Sequence, residues 1–248
     1  MVNGLATFQK HFADYTGSYI LIGGSACETN LSRLQLPFRA TRDLDIVLCI
    51  EALDAGFIQA FWDFISAGKY AIGEKSTGEK QFFRFRNPEN PNYPWMLEIF
   101  SRRPDLPGLA ENTRLVPIPA YDEASSLSAI LLDDDYYRFI MEYRIVSDGL
   151  SIVSPEALIV LKAKAWLDLR ARKTRGEHVD SKNISKHKND IARILPAVAG
   201  EPLKLPETIH AEMLTFLQDF RNESIDVKAL GIPFNESEVK RILQMIIG

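Results

Sequence analysis

Tyr19-Ile20-Leu21-Ile22-Gly23-Gly24-Ser25-Ala26 is followed, after a polar segment, by Arg39-Ala40-Thr41-Arg42-Asp43-Leu44-Asp45-Ile46-Val47-Leu48. An apolar run of strand length enters a Gly-Gly-Ser turn that opens a helix, and a second strand then carries two aspartates. Gly23 and Gly24 let the backbone turn tightly and let a ligand approach with no Cβ in the way. A helix beginning at Ser25 offers unpaired N–H groups and the positive end of its dipole to a phosphate. Strand side chains alternate, so Asp43 and Asp45 share one face while Leu44, Ile46 and Leu48 occupy the other. Adjacent carboxylates repel unless a cation lies between them. Two Mg2+ ions meet that need, and Mg2+ favours carboxylates together with substrate phosphates, so a nucleoside triphosphate suits both ends of the stretch.

Composition sets the outer bounds. With 248 residues, 46% of them hydrophobic, the chain can build one large domain or two modest ones. Its net charge of −4 argues against a general nucleic-acid coat while leaving room for a local basic footprint. Cys27 and Cys49 read as small core residues, with no disulfide framework or zinc pattern around them. No segment reaches membrane-spanning length and no signal-peptide pattern precedes the first strand, so a cytoplasmic protein without membrane contact is expected.

Outward from the opening stretch, Leu5, Phe8, Phe12 and Tyr15 recur at helical spacing. Residues 55–68 set Phe57, Ile58, Phe61, Phe64 and Ile65 on one helical face, stopped by Gly68. Residues 80–86 and 95–100 read as the two strands of a hairpin around an Asn- and Pro-rich loop. Glu98 is an acid in an otherwise apolar strand, either paired or metal-bound inside, or facing water from an edge. Residues 101–121 are broken by prolines into a loop in which Arg102 and Arg103 are surface or phosphate-contacting groups. Asp133-Asp134-Asp135 reads as a solvated turn, and Tyr137, Phe139, Met141, Tyr143 and Ile145 alternate as in a strand over residues 136–146.

After the Asp148-Gly149 turn the pattern becomes helical. Ser154-Pro155-Glu156 is a helix start, with an N-cap serine, a proline at the first position and an acid in the first turn. A domain change is placed there, giving units 1–153 and 154–248. On this helix Lys162 stands at the margin of the apolar face, where its ammonium must snorkel or find an anion. Lys164 is the weaker candidate, because Asp168 four residues on offers it a partner. Residues 170–188 form a basic, polar segment expected to be mobile, able to attract RNA or nucleotide, or simply solvated. His187 lacks further ligands at metal-binding spacing. Two packing helices close the chain, the last with an Asn235/Glu238 capping pair.

Gly24-Ser25 followed by Asp43-Leu44-Asp45 resembles the signature of the nucleotidyltransferase superfamily of DNA polymerase beta, and the phrasing is most similar to the AbiE-type nucleotidyltransferase toxins. The spacer between Ser25 and Asp43 is longer than that family usually shows. The resemblance implies an α/β (α+β) fold: a nucleotidyltransferase-like mixed, mainly antiparallel sheet flanked by helices, with a C-terminal helical domain. It implies that Asp43 and Asp45 hold two Mg2+ ions, that Glu98 is the third carboxylate and base, and that Gly24 and Ser25 seat phosphates. Lys162, within Leu158-Ile159-Val160-Leu161-Lys162, matches the family's phosphate-facing lysine. Lys188 and Asp190 match its closing motif, where they return to the nucleotide cleft, with Asn189 replacing an acid often found there; Asp190 instead orienting Lys162 or Arg193 is the structural alternative. The implied activity is transfer of a nucleoside monophosphate from an NTP to a hydroxyl of tRNA or other RNA, of a protein, or of a small molecule. A toxin with a cognate antitoxin is within that range. The alternative is a non-catalytic nucleotide-sensing or partner-binding module on the same scaffold.

Overall fold

The computed structural model describes residues 2–72, 82–100 and 133–248. Helix α1 (Leu5–His11) precedes strand β1 (Tyr19–Ile22), which runs directly into α2 (Gly23–Ser32). Strand β2 (Asp43–Leu48), helix α3 (Ala55–Gly68), and strands β3 (Ala71–Ile72), β4 (Phe82–Arg86) and β5 (Met96–Phe100) follow. Then come α4 (Asp134–Glu142), the hairpin β6 (Arg144–Ser147) and β7 (Leu150–Val153), and five further helices: α5 (Pro155–Thr174), α6 (Ser181–Ile194), α7 (Glu207–Phe220), α8 (Val227–Leu230) and α9 (Glu236–Ile247). The fold is the expected mixed α/β arrangement. Its sheet has the order β3-β4-β5-β2-β1-β7-β6. Among the described strands, β1–β7 and β2–β5 pair in parallel and the others antiparallel.

Two features hold the central strands where the site needs them. All four residues of β1 are buried, and α2 packs over them with Ala26 and Cys27 inside. Burial pushes the Cys27 thiol up to about 12, so it stays a neutral core group. The buried Asn30 amide donates to the carbonyl of Ala26 and to that of Val153 at 3.0 Å, tying α2 to β7. Phe8 of α1 and Phe12, just after it, meet Phe64 of α3 in ring contacts of 5.7 and 5.3 Å between centroids, and both also touch Tyr19 of β1. The buried apolar side chains of the sheet and of the C-terminal helices form one contiguous core.

Local chemistry sets the boundaries. Asp54 caps α3 and Ser154 caps α5, each accepting from a backbone N–H three residues on. Gly68 is the last helical residue, and the left-handed position falls on Lys69 at φ 51°. Asp148 and Gly149 both take positive φ, 50° and 73°, as a two-residue hairpin turn requires. The Asn235/Glu238 pair forms the reciprocal capping box expected of it.

The expectation of one long strand fails. Residues 136–146 are not one strand: α4 occupies Asp134–Glu142 and only Arg144–Ser147 is extended. The acidic triplet is therefore a helix start, with the Asp133 carboxylate accepting from the N–H groups of Asp135 and Tyr136. Tyr136, Tyr137, Phe139 and Ile140 are the buried residues, a helical spacing that the aromatic alternation had masked. The basic segment 170–188 is mostly helical, belonging to the end of α5 and the start of α6, and several of its cations are paired. Arg170 binds Glu223, Arg172 and Arg175 bind Glu177, and Lys188 binds Glu223. The loop of residues 101–121, with the Arg102 and Arg103 reading, lies outside the described residues.

Candidate active site

The end of β1, the start of β2 and the first half of β5 meet α2, α5 and α6 around a cavity of about 380 Å³. Gly23, Gly24, Asp43, Asp45, Glu98 and Lys162 all line it. Strand register does the gathering: Ile22 lies opposite Asp45 in the antiparallel β1–β2 pair, and Asp45 opposite Glu98 in the parallel β2–β5 pair. Asp43, Asp45 and Glu98 thereby share one sheet face, as alternation demands.

The helix begins at Gly23, two residues earlier than expected, with no side chain capping it. Gly23 has φ 63°, and a Cβ there would collide with an Asp45 carboxylate oxygen. A Cβ on Gly24 would stand 2.7 Å from the Thr41 hydroxyl oxygen. The two glycines thus let β2 press against the helix N-terminus, bringing carboxylates and free N–H groups into one space. Ser25 is behind the cavity: its buried hydroxyl donates to the Ile22 carbonyl at 3.2 Å.

The carboxylate side of the cavity is crowded. Burial, then the charge of and a hydrogen bond with Glu98, then Asp43, push the Asp45 carboxyl well above the usual range. Burial and the Glu98 charge also raise Asp43, although Lys186, Arg84 and Arg42 pull the other way. Crowding by Glu98 and Asp43 thus disfavours the charged form of Asp45. Glu98 also forms an ion pair with Arg84, which faces it directly across the β4–β5 pairing. Among the described residues no three Asp, Glu, His or Cys side chains are arranged to hold a metal ion as they stand.

The opposite wall is a satisfied network. Asp190 of α6 is fully buried, and its carboxylate accepts from Lys162 Nζ at 2.9 Å and from Arg39 Nε and Nη2 at 3.0 and 2.9 Å. Arg193 adds a longer contact at 3.6 Å. Burial alone would raise the Asp190 carboxyl, but Lys162 and Arg39 outweigh it and hold it far below the usual range. Lys162 is raised in turn, Asp190 overriding the effect of burial. Asp190 therefore stands behind Lys162 and does not itself line the cavity, whereas Lys162 does. Lys188 points elsewhere, donating to Glu223 and to the Ser224 carbonyl at 2.8 and 2.9 Å. Lys164 does not pair with Asp168; it binds Glu212, while Asp168 lies near Arg172.

Sequence reasoning gave no role at the site to five residues. Arg39 and Thr41 were in the quoted stretch without a role; Arg84 alternates in its strand as Glu98 does; Lys186 and His187 precede the closing motif. His187 lines the cavity, is buried, and its Nδ1 makes no hydrogen bond among the described residues. Burial and the positive Lys162 and Lys186 push its imidazole well below its usual value, so the ring is neutral at neutral pH.

Neither a protein-family model nor a curated protein matches the chain. Among solved structures, it is similar to an antigenic nucleotidyltransferase-like protein from Paracoccidioides brasiliensis. That likeness has a TM-score of 0.46 and 14% identity, over 98% of this chain and 94% of the other. At that score the likeness is loose, and what the cavity can do follows from its own residues. No helix among the described residues is long and apolar enough to cross a membrane.

Proposed function

We propose that the chain is a Mg2+-dependent nucleotidyltransferase that moves a nucleoside monophosphate from an NTP to a hydroxyl acceptor. The observation that carries it is the meeting of three carboxylates, an uncapped helix N-terminus and a buried lysine in one cavity. The donor set fits a hard divalent cation: oxygen ligands only, crowded until protonation is favoured, beside groups suited to phosphate. Asp43 and Asp45 would hold it, with the nucleotide's phosphates completing the shell. When bound, the metal supplies neutralisation of charge on the phosphoryl oxygens.

The chain's own residues have the remaining tasks. The Gly23 and Gly24 N–H groups and Lys162 receive the β- and γ-phosphates, and Arg39 and Asp190 keep the ammonium aimed. The acceptor oxygen attacks the α-phosphorus in line; the new P–O bond forms as the bond to the β-phosphate oxygen breaks, pyrophosphate leaves, and the acceptor's proton passes to a cavity carboxylate. Most of the acceleration comes from position and charge. A toxin role falls within this proposal, and growth arrest on expression that Asp45→Ala abolishes would support it.

One observation favours a second reading. Arg84 engages Glu98, so the third carboxylate is not free in this conformation, as a nucleotide-sensing module without catalysis would have it. Incubation with each labelled NTP, Mg2+ and RNA or protein fractions separates the two. Label entering an acceptor fraction, and lost in Asp45→Asn, supports the transferase. Mg2+-independent nucleotide binding with no transfer supports the module.

A further inference from the structure

The sheet order divides the cavity into two sides. The glycine turn ends β1, Asp43 and Asp45 come next on β2, and Glu98 lies beyond them on β5. Trp95, immediately before β5, also lines the cavity, and β5 lies on the other side of β2 from the glycine turn that ends β1. It is 50% exposed, whereas Trp166 is fully buried in the core. Arg42, exposed just before β2, and Lys186 line the same space. An indole left half in water at the rim of a polar, cation-lined cavity is a surface shaped for a flat, apolar-faced group.

The in-line requirement says whose group it is. With the triphosphate tail on the glycine and Lys162 side, pyrophosphate leaves toward β1 and α5. The attacking hydroxyl must then enter from the opposite side, over β5, where Trp95 stands. We propose that Trp95 is a stacking platform for a base of the acceptor, making that acceptor the end of a single-stranded nucleic acid; this presupposes the nucleotidyl transfer proposed above. An aromatic face accepts any base, and flanking cations follow the backbone phosphates, the combination by which proteins hold single strands.

The test is binding, in the absence of Mg2+ and of transfer. A short single-stranded oligoribonucleotide is titrated into the full chain, with anisotropy and tryptophan fluorescence as readouts. The comparisons are an oligonucleotide abasic at its last positions, an NTP alone, and the Trp95→Ala and Trp95→Phe variants. The expected result is quenching by the intact strand and about tenfold weaker binding by Trp95→Ala. Trp95→Phe retains most of the affinity, the abasic strand binds wild type as weakly as the intact strand binds Trp95→Ala, and NTP affinity is unchanged. Equal binding by Trp95→Ala and wild type overturns the proposal. So does an equal loss for abasic and intact strands, which would make the contact one to the backbone, or a parallel loss of NTP affinity, which would assign the indole to the donor's base. Transfer to a protein hydroxyl with Trp95 dispensable would also overturn it while leaving the transferase standing. Trp95-dependent strand binding with no transfer to any acceptor would leave the platform standing and remove the transferase.

Discussion

The two walls of the cavity handle buried charge in opposite ways. On the α5–α6 wall, Asp190 is surrounded by Lys162 and Arg39 at hydrogen-bond distance, and its carboxyl is held far down. On the sheet wall, Asp45 and Asp43 lie beside Glu98 and both are held up. A buried carboxylate costs free energy unless it is paired, and only one wall pairs its own fully. The satisfied wall is built to stay as it is. Under the proposed function, the frustrated wall is where positive charge from outside the chain would enter, a common pattern where stability is given up for function.

The largest expected effect lies on the frustrated wall. Asp45→Asn should lower nucleotidyl transfer on the order of a thousandfold, because a preorganised electrostatic group is lost from the reacting centre. A steady-state assay with labelled NTP checks it, and retention of activity would break the contrast between the walls. The satisfied wall should respond strongly in stability as well. Asp190→Asn leaves Lys162 and Arg39 facing an uncharged amide and should cost roughly 3–5 kcal/mol in denaturant unfolding. Lys162→Met should cost a similar amount, and Lys162→Met combined with Asp190→Leu should recover much of the loss.

The same wall sets an acid dependence. Asp190 has a depressed folded value, so its stabilisation is fully present above the unfolded carboxylate value and is lost as pH falls below about 4. Unfolding free energies measured along a pH series should show that slope in wild type and a weaker one in Asp190→Asn. A smaller effect sharpens the boundary between the walls. Gly24→Ala places a methyl against Thr41 and should weaken nucleotide binding roughly tenfold, with little change in melting. Smallest is Arg84→Met. Released from its ion pair, Glu98 should add to the negative field, and Mg2+ should then raise the melting temperature more than it does in wild type.

Much of this contrast was legible in the sequence, but unequally. The frustrated wall could be read because its parts are local: a glycine turn after an apolar strand, acids alternating within a strand, and an acid amid apolar neighbours at Glu98. The Ser154-Pro155 helix start was legible for the same reason. The satisfied wall was only half visible, since Lys162, Asp190 and Arg39 come from three separate segments and nothing in their spacing says they meet. The Arg84–Glu98 pair depends on the register of a hairpin with a long loop, which composition does not set. The α4 error had another cause. Tyr137, Phe139, Met141 and Tyr143 alternate by coincidence, while Tyr136 and Ile140 complete a helical face and the Asp133 cap supplies the start. Weighing the acidic triplet as a cap would have found it.

The central claim is that the Asp43–Asp45–Glu98 cluster is strained until a divalent cation arrives. Thermal unfolding of wild type and Asp45→Asn, each with EDTA and with Mg2+ plus a non-hydrolysable NTP analogue, tests it most directly. Relief of repulsion should make Asp45→Asn the more stable protein in EDTA, by about 1 kcal/mol, while only wild type gains strongly from Mg2+ and nucleotide. A wild type indifferent to Mg2+, together with an Asp45→Asn variant that is less stable in EDTA, would contradict the account.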